Sequence, residues 1–294
     1  MTKISGIFAA SMSVINSDLS LNVEKTINHA EKLIDQGCHG TAIFGSTGQS
    51  QLLSISEKIK LLNKLSESKY RDKHLIGTGL NSLSETINFL KIASSLNFKK
   101  FLIMPPAYYK YEDAEVIEYY SKIIAFVPDI KIILYNFEKL CGYKFTIDCI
   151  KELVKKFPNQ IVGVKDSSYN LFENLKLNNF SIFPGSELKL LKGLNLGCSG
   201  IITATCNVTA RLSRQVFDDF FSNKKQTYNE KLCDVRSSFD KFNLISGLHS
   251  FYSKHDEIYK NILPPLRLLN EAEEKDLLKD LKRLNFTIKS EKVA

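Results

Sequence analysis

Short apolar runs alternate with amphipathic stretches eight times between residues 6 and 223, and this alternation constrains the fold more than any other feature of the chain. The apolar runs, such as GIFAASM (6–12) and KIILYNF (131–137), are continuous, which is typical of parallel strands covered on both faces. The stretches between them carry apolar residues three and four positions apart, as amphipathic helices do. Eight strand–helix units in succession predict an α/β protein with a (β/α)8 TIM barrel over residues 1–223. A doubly wound open sheet is the alternative that this pattern allows.

The pattern changes after residue 223. The segments KKQTYNEKLCDVRSSFDKFNLISG and EAEEKDLLKDLKRLN are helical in pattern, no apolar strand lies between them, and PPLRLL (264–269) separates them. Residues 224–294 are therefore predicted to form an appended C-terminal helical subdomain that packs against the barrel or against a partner subunit. Within the barrel, the pattern also predicts a short polar helix over residues 171–177 and an eighth strand over residues 200–207.

Charge and cysteine content narrow the class of protein. Forty basic residues against 32 acidic ones give a net charge of +8, but the lysines are interspersed with acids, which favours a solvated surface over nucleic-acid binding. The six cysteines form no CxxC pair and are expected to be reduced thiols, without a metal site. There is no apolar run of about 18 residues, so no membrane span is expected. The N-terminal segment lacks the pattern of a signal peptide, so we expect a cytoplasmic protein.

The segment IVGVKDSS (161–168) places a lysine where a strand meets its loop, and active sites of this barrel lie at the C-terminal ends of the strands. Because side chains alternate along a strand, Ile161, Gly163 and Lys165 are expected on one face. If that face is the barrel interior, Gly163 leaves space beneath the lysine. Loss of water lowers the pKa of a lysine, and a neutral amine attacks carbonyl groups to form a Schiff base. The structural alternative is a lysine that forms an ion pair or extends to solvent.

Tyr135 ends the preceding strand, one barrel position away from Lys165. Its hydroxyl is therefore expected within hydrogen-bonding reach of the amine, where it would shuttle the protons that imine formation requires. A strand-end aromatic residue with a solvent-facing hydroxyl is the alternative. No cluster of histidine, cysteine or acidic residues converges at the strand ends, which disfavours a metal hydrolase and a two-carboxylate glycosidase.

The segment GSTGQS (45–50) follows the second strand. Gly45 and Gly48 allow the backbone to turn tightly and approach a ligand. The amides around Ser46 and Thr47 are suited to hold a carboxylate, and the Thr47 hydroxyl is expected to link to Tyr135. A plain turn before a helix capped by serines is the alternative interpretation.

The order and spacing of GSTGQ (45–49), YNFE (135–138) and GVK (163–165) resemble the G-[ST]-T-G-E, Y-N-x-P and G-x-K motifs of the dihydrodipicolinate synthase / N-acetylneuraminate lyase family of class I Schiff-base lyases. The resemblance runs from about Gly6 to the PPLR segment, nearly the whole chain. It implies that pyruvate or another 2-oxo acid forms an imine on Lys165, with Tyr135 as the acid/base and with no cofactor. It also implies a homotetramer built as a dimer of dimers.

Further site residues follow from the same resemblance. Thr47 is expected to relay protons to a tyrosine contributed by a neighbouring subunit, for which the PPAYYK segment offers Tyr109, with Tyr108 as the alternative. Ser46, Thr47 and Gly48 are expected to bind the carboxylate of the donor.

Three more positions belong to the expected substrate pocket. Gly185 and Ile202 align with donor-pocket positions, and Glu187 is expected to accept hydrogen bonds from hydroxyl groups of the acceptor.

Three positions depart from the family motifs. Gln49 replaces a glutamate and Glu138 replaces a proline. Leu140 stands where dihydrodipicolinate synthases carry an arginine for the carboxylate of the second substrate, and leucine cannot form that bidentate pair. The departure favours 2-keto-3-deoxy sugar-acid chemistry over lysine biosynthesis. Dihydrodipicolinate synthase and N-acetylneuraminate lyase activities are the alternatives within the family, and a non-catalytic barrel that binds a 2-oxo acid is the alternative from another class.

Overall fold

A parallel eight-stranded barrel forms the centre of the molecule in the computed structural model, which describes residues 3–287. Hydrogen-bonded neighbours run in the order β7-β6-β5-β4-β3-β2-β1-β8, and the amide of Ser199 closes the ring by donating to the carbonyl of Ile182 at 2.8 Å. The predicted TIM barrel is confirmed, because an open doubly wound sheet would reverse its strand order at a switch point. The strands are β1 (Gly6–Ala10), β2 (Gly40–Ile43), β3 (His74–Gly77), β4 (Lys100–Ile103), β5 (Lys131–Asn136), β6 (Ile161–Asp166), β7 (Ser181–Pro184) and β8 (Gly200–Thr203).

Helices surround the barrel, and several of them begin at side chains that cap them. Ser54 accepts a hydrogen bond from the amide of Glu57, and the Glu57 carboxylate binds back to the Ser54 amide, so the first turn of α2 is closed by a capping box. None of the helices within residues 3–287 is long and apolar enough to cross a membrane. The helices are α1 (Val23–Asp35), α2 (Ile55–Leu65), α3 (Leu83–Ser95), α4 (Asp113–Phe126), α5 (Glu138–Cys141), α6 (Ile147–Lys156), α7 (Leu190–Asn195), α8 (Cys206–Phe221), α9 (Asn229–Asp240), α10 (Leu244–Ser253) and α11 (Glu271–Arg283).

Two predicted elements differ from the structure. Residues 171–177 do not form a helix: the amides of Asn174 and Leu175 donate to the carbonyl of Leu171 in a single turn, and residues 175–177 have no regular structure. The carboxylate of Asp166 accepts the amides of Leu171 and Phe172 and ties this turn to the end of β6. The predicted strand over residues 200–207 is shorter, since β8 ends at Thr203 and the chain turns directly into α8.

A bulge in β6 changes which side chains enter the barrel. Val162 is the extra residue in the pairing of β6 with β5. As a result Ile161 packs in the outer layer against the helices, whereas Val162 packs against the interior cluster. The prediction that Ile161 shares a face with Lys165 is therefore wrong. Beyond the bulge, Lys165 pairs with Tyr135, as its interior position requires.

The C-terminal helices α9, α10 and α11 pack against the barrel through a common apolar cluster. That cluster joins side chains of β1, β8, α8 and the three helices: Ile7, Ile201, Val216, Leu232, Phe239, Leu248 and Leu277. The predicted boundary at residue 223 falls in the connection between α8 and α9, and the division into two domains stays a prediction. Residues 1–2 of the predicted barrel domain and residues 288–294 of the predicted helical subdomain lie outside the described residues. The packing brings the ends of α9 and α10 over the C-terminal ends of the strands.

Candidate active site

A cavity of about 700 Å³ opens at the C-terminal ends of the strands. Its walls come from the loops after β2, β5, β6, β7 and β8 and from the junction of α9 with α10. The polar side chains that line it include Ser46, Tyr135, Lys165, Ser167, Ser186 and Arg236. A smaller apolar cavity of about 260 Å³ shares part of this wall.

Lys165 lies buried at the floor of this cavity. It is 3% exposed, and its Nζ lies 4.2 Å from the centre of the Tyr135 ring. Among residues 3–287, no side chain or carbonyl forms an ion pair or a hydrogen bond with its amine. Lys165 is therefore neither an ion-paired lysine nor one that extends to solvent, and its amine is available to a ligand.

The Tyr135 hydroxyl forms a hydrogen bond with Ser46 rather than with the expected Thr47. Its oxygen lies 3.1 Å from Oγ of Ser46, and the tyrosine is 4% exposed. Thr47 also lines the cavity, but the predicted link from its hydroxyl to Tyr135 is not made. Successive side chains of a 3₁₀ turn diverge by about 120°, so only one of these two neighbours faces the tyrosine.

The backbone amides of Ser46 and Thr47 begin the turn Ser46–Gly48 and have no partner inside it, and both residues line the cavity. A Cβ at Gly45 would meet no described atom within 4 Å, so the glycine keeps cavity space open. Gly48 has a different role: it does not line the large cavity, and a Cβ there would lie 3.0 Å from the carbonyl oxygen of Ser11. Its own carbonyl accepts the Ser13 hydroxyl at 2.7 Å, which fixes the turn to the end of β1.

Gln49, which stands where the similar motif has a glutamate, forms a hydrogen bond with the neutral side chain of His249. Nδ1 of His249 lies 3.0 Å from the carbonyl of Tyr259, which only accepts, so that nitrogen carries the proton. Nε2 of His249 is then an acceptor for the amide of Gln49, 3.2 Å away. Burial lowers the pKa of His249 to about 4, which keeps the ring neutral. The side-chain carbonyl oxygen of Gln49 accepts a hydrogen bond from the backbone amide of Leu263 at 2.8 Å.

Asp166 organises the loop after β6, a role that sequence reasoning missed. Its carboxylate is fully buried. It accepts hydrogen bonds from the side-chain amide of Asn136 at 2.8 Å and from the backbone amide of Tyr169 at 2.9 Å. These bonds hold Tyr169 in the left-handed backbone region, with φ of 59°, where it lines the cavity. The signal in the sequence was an acid directly after the strand-end lysine, at a position where an unpaired charge is costly.

The predicted pocket residues divide between the cavity and the layer behind it. Gly185 lines the cavity, and a Cβ there would lie 2.3 Å from Oγ of Ser167, so only glycine fits. Ile202 packs inside the barrel below the cavity. Glu187 is fully buried and does not line the cavity; its carboxylate accepts hydrogen bonds from Thr203, Thr209 and Arg236. The member of that network that reaches the cavity is Arg236, which the sequence did not single out.

The two candidate cross-subunit tyrosines lie on the outer surface. Tyr109 is 73% exposed and Tyr108 is 91% exposed, and neither lines the cavity of its own chain. Over the described part of the chain, no three side chains of histidine, cysteine, aspartate or glutamate converge as they would around a metal ion.

Comparison with known proteins identifies a family, curated relatives and solved structures that are similar to this chain. The model of the dihydrodipicolinate synthetase family matches residues 3–284. The 4-hydroxy-tetrahydrodipicolinate synthase of Methanospirillum hungatei JF-1 is 30% identical over 215 residues, which cover 70% of this chain and 72% of that protein. An N-acetylneuraminate lyase of Actinobacillus pleuropneumoniae serotype 5b is 31% identical over 225 residues, covering 74% and 76%. The crystal structure of YagE, a prophage protein of the dihydrodipicolinic acid synthase family from E. coli K12 in complex with pyruvate, has the same fold, with a TM-score of 0.88 at 22% identity over 97% of this chain and 100% of that one.

Proposed function

The chain belongs to the dihydrodipicolinate synthetase family and is a lyase, and from this premise we propose that it makes or breaks a carbon–carbon bond of a 2-oxo acid through an imine on Lys165. The observation that carries the proposal is the buried amine of Lys165, which has no ion-pair or hydrogen-bond partner among the described residues and lies against the ring of Tyr135. An unpaired amine in a confined cavity is the nucleophile that Schiff-base chemistry needs.

The reaction follows from three side chains. The Lys165 amine attacks the C2 carbonyl of the 2-oxo acid, and loss of water leaves an imine. The imine accepts the electron pair of the C3–C4 bond, which releases an aldehyde and leaves an enamine. Protonation at C3 and hydrolysis then release pyruvate and the free lysine. Tyr135 donates and accepts the protons of these steps, and Ser46 relays them through its hydroxyl.

The donor carboxylate is proposed to bind the amides of Ser46 and Thr47, which begin the turn after β2. Leu140 lines the cavity near this point and offers no charge to a second carboxylate. Hydroxyl groups of Ser167 and Ser186 line the same space. A 2-keto-3-deoxy sugar acid fits this lining better than aspartate semialdehyde does, because its tail carries hydroxyls instead of an anion.

The assembly is proposed to be a homotetramer in the cytoplasm, in which a neighbouring subunit contributes Tyr109 or Tyr108 to each site. Two adjacent and largely exposed tyrosines in the loop after β4 support this arrangement. The substrates are proposed to be small molecules, with neither nucleic acid nor membrane as a partner and with no cofactor. The unpaired lysine at the floor of the cavity favours catalysis over a non-catalytic sensor.

The test is to trap the imine. Incubation with pyruvate and borohydride is expected to add the mass of one reduced pyruvate to the chain, and peptide mapping is expected to place it on Lys165. Lys165→Ala is expected to abolish the adduct, whereas Lys139→Ala, which removes an exposed lysine of the same cavity, is expected to retain it. An adduct that persists in Lys165→Ala would refute the proposal. Coupled turnover of pyruvate with aspartate semialdehyde at a rate above that of sugar-acid cleavage would instead identify the synthase activity.

A further inference from the structure

Arg236 is a buried arginine that reaches the active-site cavity from α9. It is 5% exposed, and its guanidinium binds two carboxylates: Nε donates to Asp240 at 2.9 Å and Nη1 donates to Glu187 at 3.0 Å. Nη1 also donates to the hydroxyl of Thr203 at 2.9 Å and lies 3.3 Å from that of Thr205. The guanidinium is thus held in a fixed position by β8, the loop after β7 and its own helix.

The remaining nitrogen, Nη2, makes no hydrogen bond with any residue from 3 to 287. Burial acts to lower the pKa of Arg236, but the carboxylates of Glu187 and Asp240 outweigh burial and raise it, so the group carries its full set of donors. Buried donors are nearly always satisfied by protein, water or ligand. Since Arg236 lines the cavity, the partner for the two Nη2 hydrogens comes from that cavity.

The charges around Arg236 determine which kind of hydrogen-bond acceptor Nη2 can bind. The guanidinium is already bound by two carboxylates, those of Glu187 and Asp240. Because two carboxylates already surround this single guanidinium, an anion placed at Nη2 would be repelled by them and would gain little net attraction. A neutral hydroxyl oxygen accepts from Nη2 without that repulsion.

Other groups on the same wall suit a hydroxylated chain. The Ser167 hydroxyl makes no hydrogen bond with another described residue. The carbonyl oxygen of the Asn243 side chain caps α10 by accepting the amides of Ile245 and Ser246, which leaves its two amide hydrogens as donors. Donors and hydroxyls therefore face the cavity along with Arg236.

We propose that Arg236 is a specificity-determining residue whose Nη2 donates to hydroxyl oxygens of the aldehyde-derived part of the substrate. The inference rests on the proposed function and sharpens it: the substrate is a 2-keto-3-deoxy acid whose tail is hydroxylated and uncharged. The C-terminal helices thereby become part of the active site, since α9 supplies the guanidinium that binds the hydroxyl groups of the substrate tail.

The experiment compares three six-carbon 2-keto-3-deoxy acids that all keep the C4 hydroxyl needed for cleavage. One carries hydroxyls at C5 and C6, one is deoxy at both, and one ends in a carboxylate. Wild type is expected to cleave the hydroxylated acid with a kcat/KM on the order of tenfold or more above each of the others. Because Arg236→Met alone leaves Glu187 buried and unpaired, it is combined with Glu187→Gln. This double variant is expected to lose the preference, while cleavage of the dideoxy acid stays within about twofold.

Glu187→Gln alone is the matched control and is expected to keep the preference for the hydroxylated acid over the dideoxy acid, because Glu187 does not line the cavity. Thermal melting and pyruvate trapping by borohydride show that each variant is folded and forms the imine. A preference that survives in the double variant overturns the inference, and so does a wild type that favours the carboxylate-ended acid or cleaves none of the three while trapping pyruvate. A wild type that traps no pyruvate overturns the proposed function itself.

Discussion

Two adjacent hydroxyl residues in the loop after β2 have different surroundings. Ser46 lies 3.1 Å from the Tyr135 hydroxyl, whereas Thr47 makes no side-chain hydrogen bond with a described residue. Sequence reasoning favoured Thr47 for the proton relay, because the motif alone does not tell which hydroxyl faces the tyrosine. The 3₁₀ turn makes that choice in favour of Ser46.

We predict that Ser46→Ala lowers kcat for cleavage roughly 100-fold, since loss of a proton-transferring group typically costs that much. The Michaelis constant is expected to change little, because the backbone amides of the turn remain. Thr47→Val serves as the matched control and is expected to reduce kcat far less. Steady-state kinetics on both variants measure the difference, and a larger loss in Thr47→Val would return the relay to the threonine.

At the level of elements, the loop after β6 takes its shape from one carboxylate. Asp166 sits at the last position of the strand and binds the amides of Tyr169, Leu171 and Phe172. These bonds tie the single turn that begins at Leu171 to the end of the strand and fix the course of the loop. The loop carries Ser167 and Tyr169 into the cavity, which connects a structural acid to the substrate pocket.

We predict that Asp166→Asn destabilises the protein by about 1–3 kcal/mol, because the new amide group presents donors to backbone donors. Activity is expected to fall as well, with kcat/KM reduced more than the yield of trapped imine, since Lys165 itself stays on the strand. Urea denaturation and kinetics test this, with Asp148→Asn on the exposed first turn of α6 as the control. Equal effects of the two substitutions would contradict the assigned role.

For the whole molecule, three buried histidines couple folding to pH. Burial lowers the pKa of His29, His74 and His249 to about 4 each. In the unfolded chain these rings titrate near pH 6.5. Between those values the unfolded state binds protons that the folded state does not, so the free energy of unfolding falls as the pH drops from 6.5 towards 4.

We predict a melting temperature that decreases steeply across this window and changes little between pH 7 and pH 8. His74→Gln is expected to reduce the difference in the free energy of unfolding between pH 7.5 and 4.5 by roughly 2–3 kcal/mol. His255→Gln, at an exposed position, is the control and is expected to leave that difference unchanged. Denaturation at the two pH values decides, and an identical pH dependence in His74→Gln and wild type would contradict the assignment.

The sequence by itself determined the barrel, the helical C-terminal region and the proximity of Tyr135 and Lys165, the proposed reactive pair. Continuous apolar runs and amphipathic stretches are local patterns, and the spacing of Tyr135 and Lys165 at neighbouring strand ends follows directly from the strand order. What only the tertiary structure decided depends on contacts between distant segments. The bulge at Val162 arises from pairing with β5, the neutral partner of Gln49 comes from α10, and Arg236 reaches the cavity from α9 through a core shared with β1 and β8. The contact between Gln49 and His249 joins residues 200 positions apart, and no local periodicity encodes which side chains meet across such a separation.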